Sequence, residues 1–197
     1  MRYQKKTVGD IAKFVGGSQP PKSVFSQVER DGYVRLIQIR DYKTDNFKTY
    51  IPKKSTKKFC SKDDIMIGRY GPPIFQILRG IEGAYNVALM KAVPKQNIRK
   101  DYLYYFLRQD VLFQYIEALS PRTGGQTGVD VPMLCSYPIL LPDIEYQQKV
   151  ENILVSIDSK IELNNRINVE LEAMAKTIYD YWFVQFDFPI SKELAAQ

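Results

Sequence analysis

Apolar and polar residues alternate from Val34 to Arg40, the pattern of a half-buried β-strand. Residues 64–70 and 84–93 are predicted as two further strands, the second closed by Pro94. Asp101 is placed to cap a helix running to about residue 119, rich in Tyr, Leu and Phe. Residues 120–128, with Pro121, Gly124, Gly125 and Gly128, read as a loop. Residues 134–141 read as a last short strand, and Pro138 marks it as an edge. Repeats and low-complexity tracts are absent.

From residue 143 the pattern changes. No Gly or Pro occurs between Pro142 and Pro189, so one long helix is predicted. Alternating steps of four and three pick out Val150, Leu154, Ile157, Ile161, Asn164, Asn168, Leu171, Ala175, Ile178 and Trp182, a heptad seam that is apolar except at its two asparagines. At 1.5 Å per residue, positions 150–182 span roughly 50 Å. That exceeds what a preceding domain of this size can cover, so a second helix is expected alongside. Asn164 and Asn168 flank Arg166, and an antiparallel homodimer with its two-fold axis there sets Asn164 against the partner's Asn168. A buried Asn pair weakens such a seam but fixes its register. A parallel pairing stacks each Asn on its own copy instead. An intramolecular hairpin lacks a turn, Asn164 and Asn165 being the only weak one. The fold class is therefore α+β: a mixed α/β domain over 1–142, a coiled-coil-forming helix over 143–186 and a tail over 187–197.

Charge sharpens this division. The net +6 separates into +11 over residues 1–142 and −5 over residues 143–197. A basic module joined to an acidic one points to a polyanion-binding head on a protein-binding stem. No apolar window of about 18 residues predicts a membrane span, and no apolar stretch follows Met1 to make a signal peptide. Two cysteines, Cys60 and Cys135, form neither a disulfide framework nor a zinc spacing, which fits a cytoplasmic protein.

Catalytic signatures are missing. The chain has no histidine, no phosphate-binding Gly-rich loop and no dinucleotide fingerprint. An adenine methyltransferase needs an Asn/Asp-Pro-Pro-Tyr/Phe motif, but Pro20-Pro21 follows Gln19 and Pro72-Pro73 follows Gly71. Asp143, Asp158 and Lys160 fit a loose magnesium-nuclease pattern, yet four helical turns, over about 20 Å, would separate the two carboxylates. No catalytic or metal-binding residue is expected.

The basic domain is richer. Lys53, Lys54, Lys57, Lys58 and Lys62 crowd around Phe59, with Lys43 and Lys48 just before, among Tyr42, Phe47 and Tyr50. Lysines at this density neutralise phosphates and fix register on a duplex. Base reading needs polar groups projected from loops and strand ends. Gln38, Arg40, Arg69, Tyr70, Arg122, Thr123 and Gln126 are the candidates.

The run from Leu141 to Val150, with Pro142, Glu145 and Gln147, followed by Leu154 and residues 157–164, resembles the conserved helix of type I restriction-modification specificity subunits. Residues 171–175 and 178–183 resemble that helix's end. Residues 63–71, 85–89 and 124–128 resemble segments of the family's target-recognition domain. The likeness covers residues 7 to 189.

The resemblance implies that residues 1–142 form one target-recognition domain, similar to that of adenine-N6 methyltransferases. The helix would pair antiparallel with a second one and space two reading domains on double-stranded DNA. Modification subunits carrying S-adenosylmethionine, and a restriction subunit using ATP and Mg, would dock on the assembly. A usual member holds two recognition domains and two helices, whereas this chain has one of each. A homodimer would read an interrupted palindrome, with half-sites about 15 base pairs apart for a 50 Å spacing. A scaffold or antirestriction decoy that binds modification subunits is the alternative, and a stand-alone magnesium nuclease is a further one.

Overall fold

The computed structural model describes residues 3–71, 73–120, 122, 123 and 126–185. Contacts divide the chain into a unit over Met1–Glu151 and a second over Asn152–Gln197.

In chain order the first unit contains β1 (Tyr3–Thr7), α1 (Val8–Ile11), β2 (Ala12–Gly16), β3 (Tyr33–Ile37), β4 (Tyr50–Pro52), β5 (Phe59–Cys60), β6 (Ile65–Gly68), β7 (Ile77–Leu78), β8 (Gly83–Tyr85) and β9 (Leu89–Pro94). Then come α2 (Lys100–Leu107), α3 (Asp110–Leu119), β10 (Arg122–Thr123), β11 (Gln126–Thr127), α4 (Val131–Ser136) and β12 (Pro138–Pro142). Helix α5 (Ile144–Tyr179) starts here and runs into the second unit, where a π-helical turn, Asp180–Val184, extends it. The predicted tail over 187–197 lies outside the described residues.

Two four-stranded sheets organise the unit, one in the order β4-β3-β8-β5 and the other β2-β9-β6-β7. Strands β1 and β12 pair separately, Tyr3 opposite Pro142, so Pro138 does lie on an edge strand. Alternation along the strands decides which core each residue enters. In β6, Ile65 and Ile67 join a large cluster with Leu103, Leu107, Leu112 and Ile116 from α2 and α3, while Met66 points the other way. Met66 meets Ile37, Cys60, Tyr85 and Leu89, drawn from both sheets, in a second cluster. Leu36, next to Ile37 but on the opposite face of β3, packs with Ile51 and Ala84 in a third. Burial pushes the Cys60 thiol up to about 11, so it stays protonated at neutral pH.

Three predicted elements differ. The strand expected over 84–93 is two strands in two sheets, because residues 86–88 turn the chain. Asn86 Oδ1 accepts from the Ala88 amide at 3.1 Å, and the Asn86 carbonyl accepts from the Leu89 amide at 3.1 Å. Gly17 lies against this turn so closely that a Cβ would sit 1.9 Å from the Asn86 carbonyl oxygen.

The helix expected from Asp101 to about residue 119 is broken between Leu107 and Asp110. Leu112 follows Leu103 by nine residues, so an unbroken helix would set them about half a turn out of phase. The break brings both into the same core cluster.

Residues 131–136, expected in part as strand, are helical. Asp130 caps them by accepting the Met133 amide at 3.0 Å, and Pro132 stands in the first turn.

The start of α5 belongs to the first unit. Gln147 is 1% exposed; its Oε1 accepts from the Arg99 amide at 3.0 Å and its Nε2 donates to the Pro142 carbonyl at 3.0 Å. Glu151 takes the Arg99 guanidinium in a two-point pair at 2.7 and 2.8 Å. From residue 152 to 185 no side chain is buried.

Candidate nucleic-acid interface

Strand register decides where the candidate residues fall. β3 and β8 run parallel, Ile37 beside Tyr85, and β5 runs against β8, with Phe59 beside Ala84. Gln38, Arg40, Tyr42 and Lys43 follow the end of β3, Lys48 precedes β4, and Lys57 and Lys58 precede β5, so all seven gather at one end of that sheet. Lys53 and Lys54 follow the other end of β4, where the Lys53 amide donates to the Gly32 carbonyl at 2.9 Å. The lysine run that is continuous in sequence is thus divided between two ends of one sheet.

Arg69 and Tyr70 follow β6 in the other sheet, and the Arg69 amide donates to the Ala88 carbonyl at 2.8 Å. Residues 86–88 are the same turn that leaves the first sheet at Tyr85, so the two ends are neighbours. A Cβ on Gly68 would lie 3.3 Å from Ile39 Cδ1, which confirms the approach of the two groups. Tyr70 bridges Gly128, and the Val129 amide donates to the Arg69 carbonyl at 2.9 Å. This draws in β10 and β11, where Arg122 pairs with Thr127 and Thr123 with Gln126. The side chains of Arg122, Thr123 and Gln126 lie outside the described residues.

The resulting edge runs from 38–43 and 57–58 through 86–88 to 69–70 and 128. Lys43, Lys53, Lys54, Lys57 and Lys58 enter no ion pair among the described residues. Lys48 differs, lying 3.2 Å from Asp45, whose carboxyl Arg35 and Lys48 hold below the usual range. Arg40 lies over the Phe47 ring at 5.4 Å, beside a cleft of about 430 Å³ that Gln27 and Lys48 also line. Arg69 lies over the Tyr70 ring at 5.2 Å. Tyr42 is half-buried, packed against Ile37, Cys60, Met66, Tyr85 and Leu89 with its hydroxyl inside. Sequence reasoning passed over Asn86 and Val87, which the edge includes; the polar Asn86 inside an otherwise apolar run was the signal.

The seam residues lie on α5 and the turn beyond it, with Ile161 51% and Ile178 58% exposed. Ile167, Met174 and Tyr181, each directly before a predicted seam position, are also exposed and widen the apolar stripe. Asp143 Oδ1 accepts from the Tyr146 amide at 2.9 Å at the start of α5. Among the described residues no cluster of three or more Cys, Asp or Glu could hold a metal ion, and no helix is long and apolar enough to cross a membrane.

Residues 2–173 match the type I restriction modification DNA specificity domain. The chain is 25% identical over 198 residues to the MjaIX specificity subunit of Methanocaldococcus jannaschii, covering 94% of this chain and 44% of that protein. It is 26% identical over 203 residues to the EcoR124I/EcoR124II specificity subunit of Escherichia coli, covering 93% and 48%. The crystal structure of the HsdS subunit of Thermoanaerobacter tengcongensis shares the fold with a TM-score of 0.62 at 17% identity, over 92% of this chain and 44% of that one. An S subunit structure from M. genitalium gives a TM-score of 0.64 at 15% identity, over 95% and 47%. The chain thus spans about half the length of these relatives, which are named for specificity and not for catalysis. With the match extending from β1 almost to the end of α5, the chain belongs to the type I restriction-modification DNA specificity domain family.

Proposed function

We propose that this chain recognises one half of a bipartite DNA target, pairs antiparallel with a second copy through residues 150–182, and directs partner subunits to the site. The modification subunits would bring S-adenosylmethionine, and a restriction subunit would bring ATP and Mg. The assembly would act in the cytoplasm.

The observation that carries this reading is the single edge joining the two sheets. It collects phosphate-seeking lysines that enter no ion pair among the described residues beside Arg40 and Arg69, residues able to read bases. The exposed stripe on α5 supports the pairing, because a row of large apolar side chains at heptad spacing is stable only when covered.

Binding to long duplexes, followed by fluorescence anisotropy over a salt series with modification subunits present, tests it. Each phosphate contact contributes about 0.9 to the log–log slope, so replacing Lys43, Lys57 and Lys58 with Ala should flatten the slope by about 2.7. Arg40→Ala or Arg69→Ala should instead reduce discrimination among sequences, by about 1–3 kcal/mol per lost base contact. Binding that ignores both salt and sequence would defeat the proposal.

A further inference from the structure

The segment between β2 and β3 has no strand pattern, yet it is held firmly. Pro20 and Pro21 remove two backbone donors in succession, so the chain can neither pair there as a central strand nor run on as a helix. Both ends of the segment are fastened to the edge that joins the two sheets. At its start the Gly17 amide donates to the Leu89 carbonyl at 3.0 Å and the Ser18 amide to the Tyr85 carbonyl at 3.2 Å, on either side of the 86–88 turn. The Ser18 hydroxyl shares a 2.6 Å hydrogen bond with that of Thr56, whose oxygen also accepts from the Lys58 amide at 3.0 Å. At its far end Ser26 and Tyr50 exchange backbone hydrogen bonds of 2.9 and 2.7 Å, where β4 begins just after Lys48. The Ser26 hydroxyl then accepts from the Val28 amide at 3.1 Å and donates to the Val28 carbonyl at 2.7 Å, closing a turn over Gln27. Between the two ends Pro20 is buried, and Val24 and Phe25 pack on the third apolar cluster.

What the segment leaves exposed suits a polyanion. Its exposed polar residues are Gln19, Lys22, Ser23 and Gln27, and residues 17–28 include no acidic one. Lys22 enters no ion pair among the described residues. Gln27 lines the cleft beside Arg40, and Asp45, the carboxylate of that cleft, is already neutralised by Arg35 and Lys48. A glutamine amide offers the donor and acceptor that fit the N6 and N7 edge of adenine, as a guanidinium fits guanine. A loop fixed at both ends gives up little conformational freedom when it meets a ligand.

We propose that residues 18–27 are a further DNA-contacting segment, with Lys22 on a phosphate and Gln27 on the base next to the one that Arg40 reads. This inference rests on the reading of the edge as a duplex-binding surface, and it adds two residues that lie outside every basic run of the sequence.

Two measurements on the full chain with modification subunits present decide it: anisotropy on long duplexes over a salt series, and sequencing of the bound fraction of a randomised duplex pool. Lys22→Ala should flatten the log–log slope by about 0.9 and keep the preferred sequence. Lys54→Ala removes the same charge at the other end of the sheet and should keep the parent slope. Gln27→Ala should relax selection roughly 5- to 150-fold at a base pair adjoining the one relaxed by Arg40→Ala. Both side chains are exposed, so neither variant should shift the urea midpoint. The parent slope in Lys22→Ala, an equal loss in Lys54→Ala, or the parent preference in Gln27→Ala would overturn the proposal. If the variant lacking Lys43, Lys57 and Lys58 still flattens the slope in that case, the edge itself remains the duplex site. A parent chain whose binding ignores salt and sequence would overturn both readings together.

Discussion

Asp64 shows how much one side chain can hold together. Burial alone would raise its pKa. The Ser61 amide at 2.9 Å and the ammonium groups of Lys91 and Lys100, each at 3.2 Å, outweigh burial and lower it. A carboxyl lowered in the fold stabilises above its unfolded pKa, and that contribution disappears as pH falls through the folded value. Asp64→Asn should therefore cost about 1–2 kcal/mol at neutral pH. The gap in melting temperature from the parent should close in acid, below the folded pKa; an equal gap at both pH values would show that charge is not the cause. None of this was legible in sequence, because Lys91 and Lys100 lie 27 and 36 residues away. Tyr42 is the complementary case. Its neighbours in sequence are basic and polar, which set it with Lys43 and Lys48 in the candidate DNA-binding surface, but its ring packs against residues from both sheets.

At the level of elements, periodicity located the strands around Leu36 and Ile67 and the long helix, since each has a regular pattern of its own. It failed where one apolar run serves two elements. In the 84–93 run the turn depends on Asn86 bonding its own backbone two residues on, and on a glycine 69 positions earlier making room for it. The break after Leu107 was legible in principle, because the leucines change phase there. The Pro-x-x-Glu-x-Gln stretch at 142–147 was noticed as a family likeness, and the structure supplies its physical reason. Gln147 bonds the Arg99 amide and the Pro142 carbonyl, joining the start of α5 to the segment before α2. Gln147→Leu leaves those backbone groups unpaired in a closed site and should cost about 2–3 kcal/mol. Urea denaturation followed by circular dichroism checks this, and a midpoint equal to the parent's would show that water replaces the side chain without penalty.

For the whole molecule, charge partition and the heptad seam were the informative signals, because both survive ignorance of the tertiary fold. Net charge could not show which lysines lie together; strand register separates Lys53 and Lys54 from Lys57 and Lys58. The seam leads to a direct test. Replacing Leu154, Ile161 and Ile178 with Asp should convert a dimer to monomers in light scattering, with the fold of Met1–Glu151 unchanged. A mass unaffected by the three substitutions would remove the pairing.

Most polar side chains of the edge joining the two sheets stand on turns beyond the strands, while the three apolar clusters are built from strand and helix interiors. Tyr42 and Ile39 are exceptions, since they face inward, and so are Asp41 and Asn86, buried side chains that bond the backbone of the turns they stand on. Elsewhere along that border a residue can be exchanged without disturbing what keeps the chain folded. A lineage of such proteins can drift toward new targets one turn at a time while its scaffold stays the same.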